Sequence, residues 1–180
     1  MKLSITPAKR LLGKAEIPGD KSISHRCIIL GAIANGETHL SRFLMSNDCI
    51  STLKAFRQMG VNISVPGPDK VVIKGAGLNG LKPPSSPIDA GNSGTTARLL
   101  AGLLAGQSFD SVITGDASLQ KRPMDRIVAP LKKMGADISA GTCARYLPLI
   151  IKGSTLEGID YHMPVASAQV KSALILATLY

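Results

Sequence analysis

The sequence predicts an α/β fold built from repeated strand–helix–strand–helix–strand–strand units, two of them complete and a third begun. Three observations predict it. Small polar residues running into an Ala/Leu/Ile-rich stretch recur three times at nearly constant spacing. An amphipathic helix ended by glycine recurs at the same spacing, and two short alternating stretches follow each copy of that helix.

The first recurring element is Gly19-Asp20-Lys21-Ser22-Ile23-Ser24-His25-Arg26 leading into Cys27-Ile28-Ile29-Leu30-Gly31-Ala32. It returns as Gly91-Asn92-Ser93-Gly94-Thr95-Thr96-Ala97-Arg98 before Leu99-Leu100-Ala101-Gly102, and as Ser167-Ala168-Gln169-Val170-Lys171-Ser172 before Ala173-Leu174-Ile175-Leu176-Ala177. Ser22 to Ser93 is 71 residues and Ser93 to Ala168 is 75. Each copy predicts an N-cap followed by a buried helix. The second element, Leu53-Lys54-Ala55-Phe56-Arg57-Gln58-Met59-Gly60, returns as Ala129-Pro130-Leu131-Lys132-Lys133-Met134-Gly135, and Met59 to Met134 is again 75. Gly60 and Gly135 are placed to stop these amphipathic helices in the left-handed conformation open to glycine. Strands are predicted over 62–65 and 137–140, then over 71–74 and 149–152.

The run Lys82-Pro83-Pro84-Ser85-Ser86-Pro87 predicts a surface connection between units, because the register continues across it. The third unit has only begun at residue 180. Residues 170–180 read as an apolar helix with no C-cap and no strand to pack on, so the expectation is part of a longer or split protein.

Apolar residues make up 44% of the chain, which suits a packed domain rather than a disordered one. No apolar stretch reaches bilayer-spanning length, and residues 1–7 resemble neither a signal nor a transit peptide. Cys27, Cys49 and Cys143 are odd in number and far apart, which suggests neither a metal site nor a disulfide framework and makes a reducing cytoplasm the expected location. The formal charge of +9 favours an anionic partner. Three Phe, three Tyr and no Trp argue against stacking on nucleic acid bases, and no basic amphipathic helix argues for a membrane. Small anions remain the better match.

The repeat places three helix starts in equivalent positions, and a helix start attracts anions through its unpaired N–H groups and partial positive charge. Lys21, Ser22 and Arg26 stand at the first, Asn92, Ser93, Gly94, Thr95 and Arg98 at the second, and Ser167 and Gln169 at the third. Arg26 follows Ser22 by one helical turn, so both can face one ligand. A plainer reading stands beside this one: Ser22, Asn92 and Ser167 as ordinary N-caps, Gly94 as relief of a tight turn, Arg98 as a surface or ion-paired arginine. Gly91-Asn92-Ser93-Gly94-Thr95 alone fits neither the P-loop nor the dinucleotide pattern. A fourth segment, Gly115-Asp116 with Lys121-Arg122-Pro123-Met124, precedes a predicted helix over 125–134, with Pro123 expected in its first turn. There Arg122 can grip a phosphate or carboxylate in bidentate fashion, or form a solvated loop pair with Lys121.

These four segments, taken in their order along the chain, resemble the signature segments of the EPSP synthase family, the 3-phosphoshikimate 1-carboxyvinyltransferases, and the resemblance runs from about Leu3 to Tyr180. The related UDP-N-acetylglucosamine enolpyruvyl transferases carry Lys-Asn-Ala near their start, where this chain has Lys21-Ser22-Ile23. The resemblance implies the enolpyruvate transferase fold, with two domains of three units each and about two and a half of the six present. It places residues 1–17, as strands, with the other domain and residues 18–180 in the first domain. It implies transfer of the enolpyruvyl group of phosphoenolpyruvate to shikimate 3-phosphate, releasing phosphate, in the path to chorismate and aromatic amino acids.

Carried over residue by residue, the resemblance implies that Lys21 touches both substrates and that Ser22 and Arg26 bind shikimate 3-phosphate. Ser167 and Ala168 would line its phosphate pocket, Gln169 would contact both ligands, and Asn92, Gly94 and Arg122 would stand at the phosphoenolpyruvate site. Some members have Ser in place of Ala168 and Pro in place of Leu99, so the first position offers only a backbone N–H here. The resemblance places the acid–base carboxylates and a lysine outside this chain, so no catalytic residue is assigned within it. No metal or organic cofactor is implied, and the complete protein is expected to be a monomer without nucleic acid or membrane partners. A non-catalytic anion-binding module of split or truncated origin is the alternative.

Overall fold

The computed structural model describes residues 3–10 and 12–180. Two consecutive sheets are its frame. The first part of the chain runs α1 (Lys21–Ile33), β1 (Glu37–Leu40), α2 (Asn47–Gln58), β2 (Asn62–Gly67) and β3 (Lys70–Lys74). The second runs β4 (Ile88–Asp89), α3 (Gly94–Ala105), β5 (Ser111–Thr114), α4 (Asp125–Lys133), β6 (Asp137–Ala140) and β7 (Leu149–Lys152), and α5 (Ala168–Ala177) follows. Strand order is β1-β3-β2 in one sheet and β4-β5-β7-β6 in the other. The last three strands of the second sheet repeat the first sheet, antiparallel throughout, and β4 adds a parallel strand on the β5 edge.

The second unit therefore has the predicted order in full, whereas the first lacks its leading strand. Residues 3–10 and 12–17, expected as strands, form none. A strand needs a partner for its ladder, and Leu3, Ile5, Leu12 and Ile17 are all largely exposed. At the repeat spacing Pro18 stands where β4 has Asp89, and proline has no N–H to give a ladder. Between β7 and α5 no strand forms either among the described residues.

Both glycine stops form as expected, with φ of +86° at Gly60 and +92° at Gly135. The residues 82–87 lie at the surface. The core is centred on α3, which is apolar on every side and buries Leu99, Leu100, Leu103 and Leu104 completely. Against it lies α5, so close that a Cβ on Gly102 would meet the Ala173 carbonyl oxygen at 2.0 Å. The sequence leaves α5 without an obvious partner. Here Val170, Ala173, Leu176 and Ala177 are buried on the α3 and α4 side, and Ile175 and Leu179 remain exposed.

Candidate functional site

Asp20, not Ser22, caps α1: its Oδ1 accepts from Ile23 N at 2.7 Å. That leaves the Ser22 side chain exposed at the helix start. Lys21 forms an ion pair with Asp48 in the first turn of α2. Arg26, half-buried one turn on, donates from Nη1 to Ser22 O (3.1 Å) and from Nη2 to Ser172 Oγ (2.7 Å) on α5.

At α3 the cap is Ser93, whose Oγ accepts from Thr96 N at 3.1 Å, and Asn92 is free of capping duty. Asn92 instead donates from Nδ2 to both carboxylate oxygens of Asp116 (3.0 and 2.7 Å), and its Oδ1 accepts from Arg122 Nη2. The Asn92 amide first, then the Leu119 and Ser118 N–H groups, hold the Asp116 carboxyl below the usual carboxylate range. Arg122 thus belongs to a three-part cluster and is not a solvated loop residue. Its helical setting differs from expectation. It closes a short 3₁₀ turn over Leu119–Lys121, Met124 is the N-cap of α4, and Pro123 lies before that helix because the chain is still extended at Arg122.

Gly94 is buried against two guanidinium groups: a Cβ there would meet Arg98 Nη1 at 2.5 Å and Arg122 Nη1 at 3.6 Å. Arg98 is neither a surface nor an ion-paired arginine. It donates to Gly94 O (3.3 Å) and Pro123 O (3.0 Å), tying the α3 start to the segment before α4. Burial, then repulsion from Arg122 and Arg126, lowers its guanidinium from the ordinary value. Crowded like charges of this kind are relieved by an anion, which is the electrostatic character expected of a phosphate or carboxylate site.

Ser167 does cap α5, accepting from Val170 N at 3.3 Å, and Ala168 is exposed in the first position of that helix. Gln169 donates from Nε2 to Thr95 Oγ1 at 3.1 Å. The three helix starts are thereby linked pairwise: α1 to α5 through Arg26 and Ser172, α5 to α3 through Gln169 and Thr95, and α3 to α1 through Thr96, Thr52 and His25. Eight of the nine sequence-nominated residues lie at or within two turns of these starts, and the ninth, Arg122, reaches the α3 start through its hydrogen bond to Asn92.

Sequence reasoning passed over Asp48, Thr52, Ser172 and the buried His25. Ser172, Thr95 and His25 stood inside the quoted motifs, and Asp48 follows a Ser46 cap whose spacing to Cys49 marks a helix start. Asp20, Asp89 and Asp116, the carboxylates nearest the motifs, are cap or turn acceptors.

The chain matches the EPSP synthase (3-phosphoshikimate 1-carboxyvinyltransferase) sequence profile over residues 5–180. It is 55% identical over 181 residues to the 3-phosphoshikimate 1-carboxyvinyltransferase of Alkalilimnicola ehrlichii, covering all of this chain and 40% of that protein. The corresponding Methylococcus capsulatus protein is 58% identical over 175 residues, covering 97% of this chain and 40% of its own length. The solved EPSP synthase from Acinetobacter baumannii superposes with a TM-score of 0.89 at 54% identity, over 92% of this chain and 37% of that one. The chain thus spans about 40% of the length of the curated relatives it matches. With the repeat, the linked helix starts and these similarities taken together, the chain belongs to the EPSP synthase family.

Proposed function

We propose that the protein to which this chain contributes transfers the enolpyruvyl group of phosphoenolpyruvate to shikimate 3-phosphate, giving 5-enolpyruvylshikimate 3-phosphate and phosphate. The observation that carries the reading is the linked set of three helix starts ringed by Lys21, Arg26, Arg98 and Arg122. Two polyanions must be held side by side against their repulsion, and preorganised cations and helix N-termini can do that. Lys21 touches both ligands in this reading, and Ser22, Arg26, Ser167 and Ala168 take shikimate 3-phosphate. Gln169 bridges the two, and Asn92, Gly94 and Arg122 take phosphoenolpyruvate. Arg122 spends one of its five donors on Asn92, and the Asn92–Asp116 bonds fix the direction from which the rest approach.

The reaction also delivers a proton to the phosphoenolpyruvate methylene, and groups cycling as acid and base are required for it. Asp20, Asp89 and Asp116 are occupied as cap and turn acceptors and Asp48 is paired with Lys21, and the resemblance to the family assigns that chemistry to carboxylates and a lysine outside this chain. Residues 18–180 form the first domain in this reading and residues 1–17 pair with the second. The complete protein is a cytoplasmic monomer that acts on these two small molecules without metal or organic cofactor. Among the described residues no helix is long and apolar enough to cross a membrane. Glyphosate competes with phosphoenolpyruvate at the same place, where the absent side chain of Gly94 leaves Arg98 and Arg122 room.

Phosphate release from phosphoenolpyruvate plus shikimate 3-phosphate tests the reading. The chain alone is expected to be inactive, and addition of the remaining C-terminal portion of a close relative is expected to restore turnover. Turnover by the chain alone at a rate near that of the completed enzyme would refute this division of labour.

A further inference from the structure

His25 lies in the second turn of α1, wholly buried, and has no part in the substrate roles above. Its Nδ1 is 2.7 Å from Thr52 Oγ1 on α2, which is 2.7 Å from Thr96 Oγ1 on α3. Thr96 Oγ1 is in turn 2.7 Å from Ser93 Oγ, the cap of α3, and 3.3 Å from Asp48 O. Thr52, Thr96 and Ser93 are as completely buried as His25. Burial first, then Lys21 and Arg26 against an opposing Asp48, brings the imidazole pKa down to about 4, so the ring is neutral at pH 7 and carries one N–H.

The surroundings of Nε2 favour one place for that N–H. The ring Nε2 is buried without a hydrogen-bond partner among the described residues. A proton on Nε2 would strand a buried donor, and orphaned buried N–H groups are rarer than unpaired acceptors. A proton on Nδ1 leaves Nε2 a bare acceptor and runs the donors one way, Nδ1–H to Thr52, Thr52 O–H to Thr96 and Thr96 O–H to Ser93, with the Ser93 O–H as the last donor.

We infer that His25 is a positioning residue, the Nδ1–H head of a one-way hydrogen-bond chain that fixes the α1 start against the α3 start. It deepens the proposed function and rests on that reading for its consequence: the chain sets the spacing between Lys21, Ser22 and Arg26 on one side and Asn92, Gly94 and Arg122 on the other. Asparagine at position 25 places an amide nitrogen where Nδ1 stands, and glutamine reaches instead toward Nε2. Serine at 52 keeps the hydroxyl that valine removes.

The tautomer is read from the imidazole ¹⁵N shifts of the labelled chain between pH 5.5 and 8. Protonated Nδ1 and bare Nε2 throughout are expected; a protonated Nε2, or titration near the ordinary histidine value, overturns the inference. Backbone hydrogen exchange at Ile23, Ser24, Thr96 and Ala97 reads the positioning. Thr52→Val and His25→Gln are expected to speed it at both helix starts by about tenfold or more, as removal of a buried partner does. Thr52→Ser and His25→Asn are expected to stay near the parent rate. Faster exchange throughout the chain, or none at either start, refutes the positioning role. If Thr52→Val does not fold, His25→Gln against His25→Asn decides the matter.

In the same variants shikimate 3-phosphate affinity is measured with and without phosphoenolpyruvate. Thr52→Val is expected to weaken the coupling between the two about tenfold, within the usual range for linked sites, with each ligand alone changed far less. Equal loss for each ligand alone would point to general destabilisation and count against the inference. If the parent chain and its completed form bind neither ligand, the proposed function falls, and the tautomer and exchange results still decide the role of His25.

Discussion

The two units share a sheet order and differ in how each inner helix start is tied to the outer helix beside it. In the first unit Lys21 on α1 meets Asp48 in the first turn of α2. At the equivalent place in the second, Asn92 before α3 meets Arg122 just ahead of α4. The cation sits on the inner helix in one case and before the outer helix in the other. The lesson is that the repeated backbone sets where ligands can be held, and the swapped residues decide what charge faces them. Lys21 shares its charge between a neighbouring carboxylate and a ligand, whereas Arg122 is steered by a neutral amide and keeps its full charge for a ligand.

The largest expected break in that comparison comes from Arg122→Ala in the completed enzyme. Loss of a positioned, charge-assisted partner is expected to weaken phosphoenolpyruvate by about 3 kcal/mol, roughly a hundredfold, and shikimate 3-phosphate only a few-fold. Calorimetry or steady-state KM values for each ligand check it, and equal weakening of both would remove Arg122 from the phosphoenolpyruvate side.

The next contrast concerns Gly31 and Gly102, which stand 71 residues apart at equivalent places in α1 and α3. A Cβ on Gly102 would strike backbone, the Ala173 carbonyl oxygen at 2.0 Å, whereas one on Gly31 meets the Ile73 Cδ1 side-chain end at 3.0 Å. Gly102→Ala is expected to destabilise by about 2–3 kcal/mol and Gly31→Ala by about 1 kcal/mol or less. Denaturant midpoints of the two variants decide it; equal costs would mean that α5 does not press on α3 as closely as described.

A smaller effect separates His25 from Thr96, which occupies the equivalent position in the second unit at the same spacing of 71. Only the first titrates. The folded imidazole value, about 4, lies below the ordinary 6.5, so the unfolded chain binds the extra proton between these values and stability falls as pH drops through that window. From pH 7 to 5 the loss attributable to His25 is about 2 kcal/mol, and it levels off only about one pH unit below the folded value. Urea unfolding of the parent and His25→Asn chains at both pH values isolates this contribution; parallel curves would show that the ring is protonated without penalty.

Much of this architecture was legible because its determinants are local. Glycine at 60 and 135 ends a helix through its own φ, and alternation over 62–65 and 137–140 needs only neighbouring residues to be read. The caps were harder. Asp20 and Ser93 do the capping that the sequence reading gave to Ser22 and Asn92, since cap choice depends on where the chain turns and several small polar residues were available. Strands over residues 1–17 were expected and the described ones do not form, because pairing is a property of two segments and not of one. What remained illegible is relational: Lys21 and Asp48 are 27 residues apart, Arg122 and Asn92 30, and Arg26 and Ser172 146. The backbone carbonyls that hold Arg98 carry no signature in sequence at all.

Because α3 touches α2, α4, α5, β5 and β7 at once, its amides have no private route to solvent. Loops and the exposed residues 3–10 and 12–18 can open at little expense, whereas freeing the middle of α3 requires both units and α5 to separate together. The helix whose start carries Asn92 and Gly94 is therefore expected to exchange most slowly among the described residues. The site's geometry is anchored in the most deeply embedded helix of the fold.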